Sequence, residues 1–258
     1  MTGVAIVLSC VLGLAVGSFL NVVVWRVPRG ESVVRPASHC PRCEHVVRSR
    51  DNIPVVSWLL LRGRCRDCGE PISPRYPAVE LGTAIAFGLV AWWIGWSVLL
   101  PAYLYLAAIS VCLSLIDLDV RRLPDAIVLP SWIVAPALLG LAAVAEGDGA
   151  AMLRALAGAA AVGLFFLVAA IAYPAGMGLG DVKLSPVLGL YLGYVGWGAV
   201  VVGMFGAFLL GAIVGVAVLV VTRDPKAGIP FGPWMIVGTW IGLVVGQSLF
   251  GSYLSLLG

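Results

Sequence analysis

Two aspartates at the ends of apolar segments are the residues of this sequence whose type and position most directly suggest chemistry. Asp117 closes the apolar run of residues 98–116, and Asp181 follows the string Met177-Gly178-Leu179-Gly180. A carboxylate at the end of a membrane segment is costly unless it faces a polar cavity or a partner. Two such acids therefore suggest a pair that is brought together for a reaction.

The chemistry that such a pair performs is general acid–base catalysis. Two carboxylates close together do not both ionise readily, so they share a proton. The ionised group acts as a base on a water molecule, while the protonated group polarises a peptide carbonyl. Gly178 and Gly180 allow backbone conformations and close approaches that other residues do not. We expect them to present Asp181 at a helix start, where the helix dipole favours a carboxylate.

Other charged residues near the two aspartates have plainer interpretations. Asp119 is expected to be an interfacial residue, and Asp125 is expected to cap the helix that follows Pro124. Three roles are open for Lys183: an anchor at the membrane surface, a contact to phosphate, or a partner that tunes Asp181.

The elements that must position these residues are membrane helices. The chain of 258 residues is 61% hydrophobic and only 11% charged, whereas soluble domains carry about 25% charged residues. About 20 apolar residues span a bilayer, so the fold is predicted to be an all-α polytopic membrane protein with about eight transmembrane helices. The predicted spans are residues 4–25, 78–97, 98–117, 126–145, 152–174, 182–195, 197–221 and 233–256. The span at 182–195 is short and rich in glycine, so seven spans are the alternative.

The distribution of basic residues predicts the orientation. Ten of the 16 basic residues are arginines within residues 26–75, an interval that contains only five acidic residues. Basic loops of membrane proteins lie in the cytoplasm, which places the N-terminus outside as a retained helix. The loops at 118–125, 175–183 and 222–232 are also basic, so both aspartates are expected at the cytoplasmic face. A nucleic-acid partner is not predicted, because membrane segments flank the arginine-rich stretch.

Four cysteines form the pattern C-x2-C-x21-C-x2-C, which is typical of a structural zinc site. The predicted ligands are Cys40, Cys43, Cys65 and Cys68. Two disulfides and four unrelated thiols are the alternatives, and a cytoplasmic location argues against disulfides because thiols there are kept reduced. Three regions follow: a first transmembrane helix (1–25), a small zinc-knuckle cytoplasmic domain inserted after it (26–77) and a membrane core (78–258). No internal repeat of useful length is evident.

The assembled motifs resemble the type IV prepilin leader peptidases, the bacterial branch of the GxGD aspartyl membrane proteases. The likeness covers most of the chain. It is carried by Gly17-Ser18-Phe19-Leu20-Asn21, the cysteine knuckles with Asp51-Asn52-Ile53-Pro54 between them, Arg75-Tyr76-Pro77 with Glu80, Ile116-Asp117-Leu118-Asp119 with Leu123-Pro124-Asp125, Gly178-Leu179-Gly180-Asp181, and Ile229-Pro230-Phe231-Gly232-Pro233. In this family the first catalytic aspartate lies seven residues before the proline, which selects Asp117 over Asp119; the second is Asp181. Ser185-Pro186 departs from the family pattern, so the helix after Asp181 is expected to be irregular.

The resemblance implies an aspartic endopeptidase of the bacterial inner membrane. Such enzymes cleave the basic leader of prepilins and pseudopilins, and members with the cysteine domain also methylate the new N-terminus with S-adenosylmethionine. No motif predicts a methyl-donor site, and no G-x-G-x-x-G follows a strand as in Rossmann-type methyltransferases. The alternatives are a peptidase without methylation and a proton-coupled transporter or assembly scaffold.

Overall fold

The computed structural model describes residues 2–174, 176–224 and 229–256. In these ranges the regular structure is helical, with only two isolated backbone bridges outside the helices. The helices are α1 (Thr2–Arg26), α2 (Val56–Leu60), α3 (Arg75–Ile94), α4 (Leu100–Val120), α5 (Asp125–Glu146), α6 (Gly149–Ala172), α7 (Leu179–Val195), α8 (Trp197–Thr222) and α9 (Gly232–Ser255).

The length and apolar character of these helices confirm the predicted fold class. Within the described ranges, seven helices are long and apolar enough to cross a membrane: α1, α3, α4, α5, α6, α8 and α9. Each of the eight predicted spans coincides with a helix, and the short span corresponds to α7, which has 17 residues. The protein is therefore a multi-pass membrane protein.

The chain divides into two compact units, Met1–Cys112 and Leu113–Gly258, and α4 contributes residues to each. In the first unit α1 packs against α3 through small residues. A Cβ atom at Gly13 would lie 2.7 Å from the Cα atom of Ala84, and one at Gly17 would lie 2.7 Å from that of Glu80. Close backbone packing of this kind replaces the hydrophobic driving force that helices lack inside a lipid bilayer.

A mostly irregular segment between α1 and α3 carries the four cysteines and is tied to α3 through Glu80. This side chain is 8% exposed, and its carboxylate accepts a hydrogen bond of 2.7 Å from the backbone N–H of Val55. Val55 has a φ of 62°, a conformation that a β-branched residue rarely adopts. The hydrogen bond holds the turn before α2 in this strained conformation.

In the second unit, glycines bring neighbouring helices together in two pairs. A Cβ atom at Gly158 of α6 would lie 2.6 Å from the carbonyl oxygen of Gly189 in α7. Likewise, one at Gly242 of α9 would lie 2.7 Å from the Cα atom of Gly203 in α8. Side chains at these positions would force the helices apart, so the glycines fix the distance between the helix axes.

The helix that carries Asp181 is continuous, although an irregular one was expected. Pro186 lies inside α7 and has no N–H to donate to the carbonyl of Val182, four residues earlier. The hydroxyl of Ser185 donates to that carbonyl instead, at 2.9 Å. The serine thus replaces the hydrogen bond that the proline removes, which is why α7 continues through the Ser-Pro pair.

Candidate active site and metal centre

Asp117 lies in the last turn of α4 and is 5% exposed. Its Oδ2 atom accepts a hydrogen bond of 3.1 Å from the backbone N–H of Gly232, the first residue of α9. The positive end of the α9 dipole therefore faces this carboxylate. A Cβ atom at Gly232 would lie 2.8 Å from Oδ2 of Asp117, so the contact requires glycine at this position.

Asp181 lies in the first turn of α7 and is 9% exposed. The Asp181 carboxylate lies beside Gly178, the residue before the helix, and the backbone N–H of Asp181 donates to the Gly178 carbonyl at 3.1 Å. This arrangement matches the predicted presentation of Asp181 at a helix start. A Cβ atom at Gly178 would lie 3.2 Å from Oδ2 of Asp181, so a larger residue would crowd this carboxylate.

The two aspartates belong to the same compact unit, and the charge of Asp117 acts on the carboxyl group of Asp181. Leu123 fills the space beside them. Its side chain lies 2.9 Å from the position that a Cβ atom at Gly180 would take, and 3.3 Å from the corresponding position at Gly232. The second unit thus holds two buried carboxyl groups near the side chain of Leu123, and the carboxylate of Asp117 accepts a hydrogen bond from a backbone N–H. Such a pair can hold one proton between two acids.

Of the neighbouring charged residues, Asp125 has a different role from the one expected. The prediction that Asp125 caps a helix is wrong: α5 begins at Asp125 itself, Pro124 is the capping residue, and no side chain makes a capping hydrogen bond. Both carboxylate oxygens of Asp125 instead accept from the Lys183 ammonium group at 2.8 Å. Lys183 therefore pairs with Asp125 and not with Asp181. Asp119 is exposed at the end of α4, as expected of an interfacial residue.

The four predicted cysteine ligands form one cluster, in which the sulfur atoms all lie within 4.8 Å of one another. The Sγ atoms of Cys40 and Cys68 are 3.7 Å apart, and those of Cys43 and Cys65 are 3.9 Å apart. All four are free thiols, so the disulfide alternative does not hold. Their arrangement could hold a metal ion.

The electrostatics of Cys40 suit metal binding. The backbone N–H groups of Cys43 and Arg42 donate to its sulfur and lower the pKa of the thiol to about 6. A thiolate is the form that binds a metal. Around the cluster, the guanidinium group of Arg66 donates to both carboxylate oxygens of Asp51, at 2.6–3.0 Å, and lowers the pKa of that carboxyl group.

The two knuckles are built alike, which the sequence analysis missed. The N–H of Cys40 donates to the carbonyl of His45, and the N–H of Cys65 donates to that of Glu70. The bridges His39–Val46 and Arg64–Pro71 close the two turns. Each pair of equivalent positions is 25 residues apart. The repeat is hard to see in the sequence because only the cysteines recur within it, and the shared feature is the backbone conformation.

Comparison with known proteins gives matches over most of the chain. The Bacterial Peptidase A24 N-terminal domain matches residues 11–94, and the Type IV leader peptidase family matches residues 104–216. A relative from Pseudomonas putida is 39% identical over 283 residues, covering 98% of this chain and 95% of the relative. One from Pseudomonas aeruginosa is 38% identical, covering 97% and 93%. One from Neisseria gonorrhoeae is 37% identical, covering 95% and 92%. All three are named prepilin leader peptidase/N-methyltransferase. No solved structure matches the chain significantly.

Proposed function

The chain belongs to the type IV leader peptidase family, and from this we propose that it removes the leader peptide of type IV prepilins or pseudopilins and then methylates the new N-terminus. The observation that carries the peptidase proposal is the pair of buried carboxyl groups, Asp117 and Asp181, in one compact unit. The names of the relatives support both activities.

Asp117 and Asp181 are the proposed catalytic residues. One carboxylate takes a proton from water, and the resulting hydroxide adds to the carbonyl carbon of the scissile peptide bond. The other, protonated carboxyl group donates a hydrogen bond to the carbonyl oxygen and stabilises the charge that develops there. The C–N bond then breaks, and the leaving amine receives the proton. Gly178 and Gly180 shape the site by admitting the carboxylate of Asp181 and the side chain of Leu123.

We propose Zn²⁺ as the metal held by Cys40, Cys43, Cys65 and Cys68. Zinc–sulfur bonds of about 2.3 Å in a tetrahedron place the sulfur atoms about 3.8 Å apart. The separations of 3.7 Å between Cys40 and Cys68 and of 3.9 Å between Cys43 and Cys65 agree with this value, and all four sulfur atoms lie within 4.8 Å of one another. Four protein ligands leave no open position for a catalytic water, so the role of the metal is structural.

The methyl group is supplied by S-adenosylmethionine, as the names of the relatives imply. The acceptor is the amine that peptide cleavage releases, and it loses a proton when the new C–N bond forms.

The enzyme is proposed to work at the cytoplasmic face of the inner membrane, with its N-terminus outside. The arginine-rich segment after α1 and the basic residues Arg121 and Arg122 after α4 support this orientation. Asp117 lies at the same end of α4 as this basic pair. The prepilin leader is itself basic in this family, which by the same rule favours a site on the cytoplasmic side.

One incubation tests both activities. The purified protein in detergent is mixed with a purified type IV prepilin and isotopically labelled S-adenosylmethionine, and the products are analysed by mass spectrometry. We expect Asp117→Asn and Asp181→Asn to abolish cleavage. Asp119→Asn is the matched control, because it removes an exposed acid from the same helix, and it should cleave normally. Full activity of either active-site variant would refute the assignment, and a mature N-terminus without label would refute methylation.

A further inference from the structure

The first two turns of α7 (residues 179–185), which carry Asp181 and Lys183, lie before Pro186. The proline cannot donate to the carbonyl of Val182, and the Ser185 hydroxyl donates to that carbonyl at 2.9 Å. A helix is easier to bend where its backbone ladder is interrupted. The direction of these two turns therefore depends on what else holds them.

Helix α5 holds these two turns through two polar contacts that converge on Lys183. Its ammonium group lies 2.8 Å from each carboxylate oxygen of Asp125. Its backbone carbonyl accepts a hydrogen bond of 2.9 Å from the indole Nε1–H of Trp132. Asp125 and Trp132 lie two turns apart on α5, so they contact the side chain and the backbone of one residue from two points along that helix. Two such contacts restrict both the position and the rotation of these turns.

The ion pair also determines where the charge of Lys183 lies. Lys183 is only two residues from Asp181, and its ammonium group is bound by Asp125. In this position the cation is not a partner of the catalytic carboxyl groups. The pair shares its proton only if neither acid is neutralised by a fixed cation.

We propose that Asp125, Trp132 and Lys183 are positioning residues that hold Asp181 in register with Asp117 during peptide cleavage. This inference rests on the proposed function, because it assigns a role in that reaction. None of the three is a proposed catalytic residue. They act through the orientation of the first two turns of α7, and a small misplacement of a reacting group lowers the rate of the chemical step.

The pair is exposed enough to be removed without unfolding the protein. The side chains of Lys183 and Asp125 are 40% and 54% exposed, and exposed ion pairs contribute little to stability. We therefore expect Lys183→Gln, Asp125→Asn and Trp132→Phe to fold and to lower kcat for prepilin cleavage by about 10-fold to 100-fold. The KM for prepilin should stay within about twofold of the wild-type value, since uniform substrate binding is unchanged.

A conservative variant and a double variant distinguish a positioning role from a general loss of stability. Lys183→Arg keeps a cation that can reach Asp125 and should retain most of the wild-type kcat. The double variant Asp125→Asn/Lys183→Gln should be no slower than the slower single variant, because the two residues act as a unit. Arg154→Gln is the matched control: it removes the guanidinium contacts to Gly193 and Tyr194 at the opposite end of α7, and kcat should not change.

The outcomes distinguish this inference from the proposed function. If the wild-type protein does not cleave prepilin, the proposed function fails first. A second outcome is that the wild-type protein cleaves prepilin, Asp117→Asn and Asp181→Asn are inactive, and Lys183→Gln keeps the wild-type kcat. In that case only the positioning role is refuted. An effect of Lys183→Gln confined to KM, or an equal loss of kcat in Arg154→Gln, would also refute it.

Discussion

The backbone N–H of Gly232 donates to Oδ2 of Asp117 across 115 residues of sequence, at a distance of 3.1 Å. This hydrogen bond joins the first residue of α9 to the last turn of α4, and both groups are buried. The carboxylate is thereby oriented by a helix to which it does not belong.

Substitution of Gly232 by alanine tests the importance of this contact. The new Cβ atom would lie 2.8 Å from Oδ2 of Asp117 and 3.3 Å from Cδ2 of Leu123, so the carboxylate must move. We expect kcat for prepilin cleavage to fall about 100-fold, with normal expression and folding. Gly251→Ala is the control. Gly251 lies in the same helix as Gly232, and a Cβ atom there would have no neighbour within 4 Å. Wild-type activity of Gly232→Ala would show that the contact is dispensable.

The cysteine cluster predicts one zinc ion per chain. Cys40→Ser or Cys65→Ser removes one thiolate from the tetrahedral set, and we expect zinc to be lost from the purified protein, as measured by plasma mass spectrometry. Cys10→Ala is the control, because Cys10 lies in α1 and outside the cluster. The zinc assignment is wrong if the wild-type protein contains no zinc, or if Cys10→Ala loses as much of the metal as the cluster variants.

Glu44 and Gly69 occupy equivalent positions in the two knuckles, and we expect substitutions at these positions to have opposite effects on zinc retention. Both residues have a positive φ, 60° and 74°, which costs a residue other than glycine about 1–2 kcal/mol. We expect Gly69→Ala to lower the temperature at which the protein releases zinc, and Glu44→Gly to leave it unchanged or raise it slightly. A Cβ atom at Gly69 would have no neighbour within 4 Å, so the effect of Gly69→Ala comes from the backbone conformation and not from steric contact. Equal shifts in the same direction would contradict this account.

The Ser185–Pro186 pair predicts non-additive effects on stability. Ser185→Ala leaves the carbonyl of Val182 without its donor, at a cost of about 1–3 kcal/mol for a buried group. In a protein that also carries Pro186→Ala, residue 186 supplies the missing N–H, so the loss of the serine should cost much less. Thermal unfolding of the two single variants and the double variant in one detergent measures the difference. Additive losses would show that the hydroxyl does not replace the backbone hydrogen bond.

The helices were predictable from the sequence because a lipid bilayer imposes a minimum apolar length. The cysteine ligands were predictable because the spacing of a knuckle is local. The choice of Asp117 over Asp119 came from the family resemblance, and the structure adds that Asp117 is buried while Asp119 is exposed. The proposed division into three regions stays a prediction.

The contacts that orient the aspartates were not predictable. The Gly232–Asp117 hydrogen bond and the Lys183–Asp125 ion pair join residues far apart in the chain, and no local pattern encodes such pairings. Lys183 illustrates the problem. Its position in the sequence was compatible with three roles, and its actual partner, Asp125, was expected to cap a helix. The hydrogen bond from the backbone N–H of Val55 to the carboxylate of Glu80 was not predicted for the same reason.

The two matching knuckles make the cysteine segment modular. The backbone hydrogen bonds that shape each knuckle are made within ten residues, so each knuckle holds its own two cysteines in place. A zinc ion bound as proposed would fix the two ends of the linking stretch, while the contacts of Asp51 with Arg66 and of Val55 with Glu80 hold its interior.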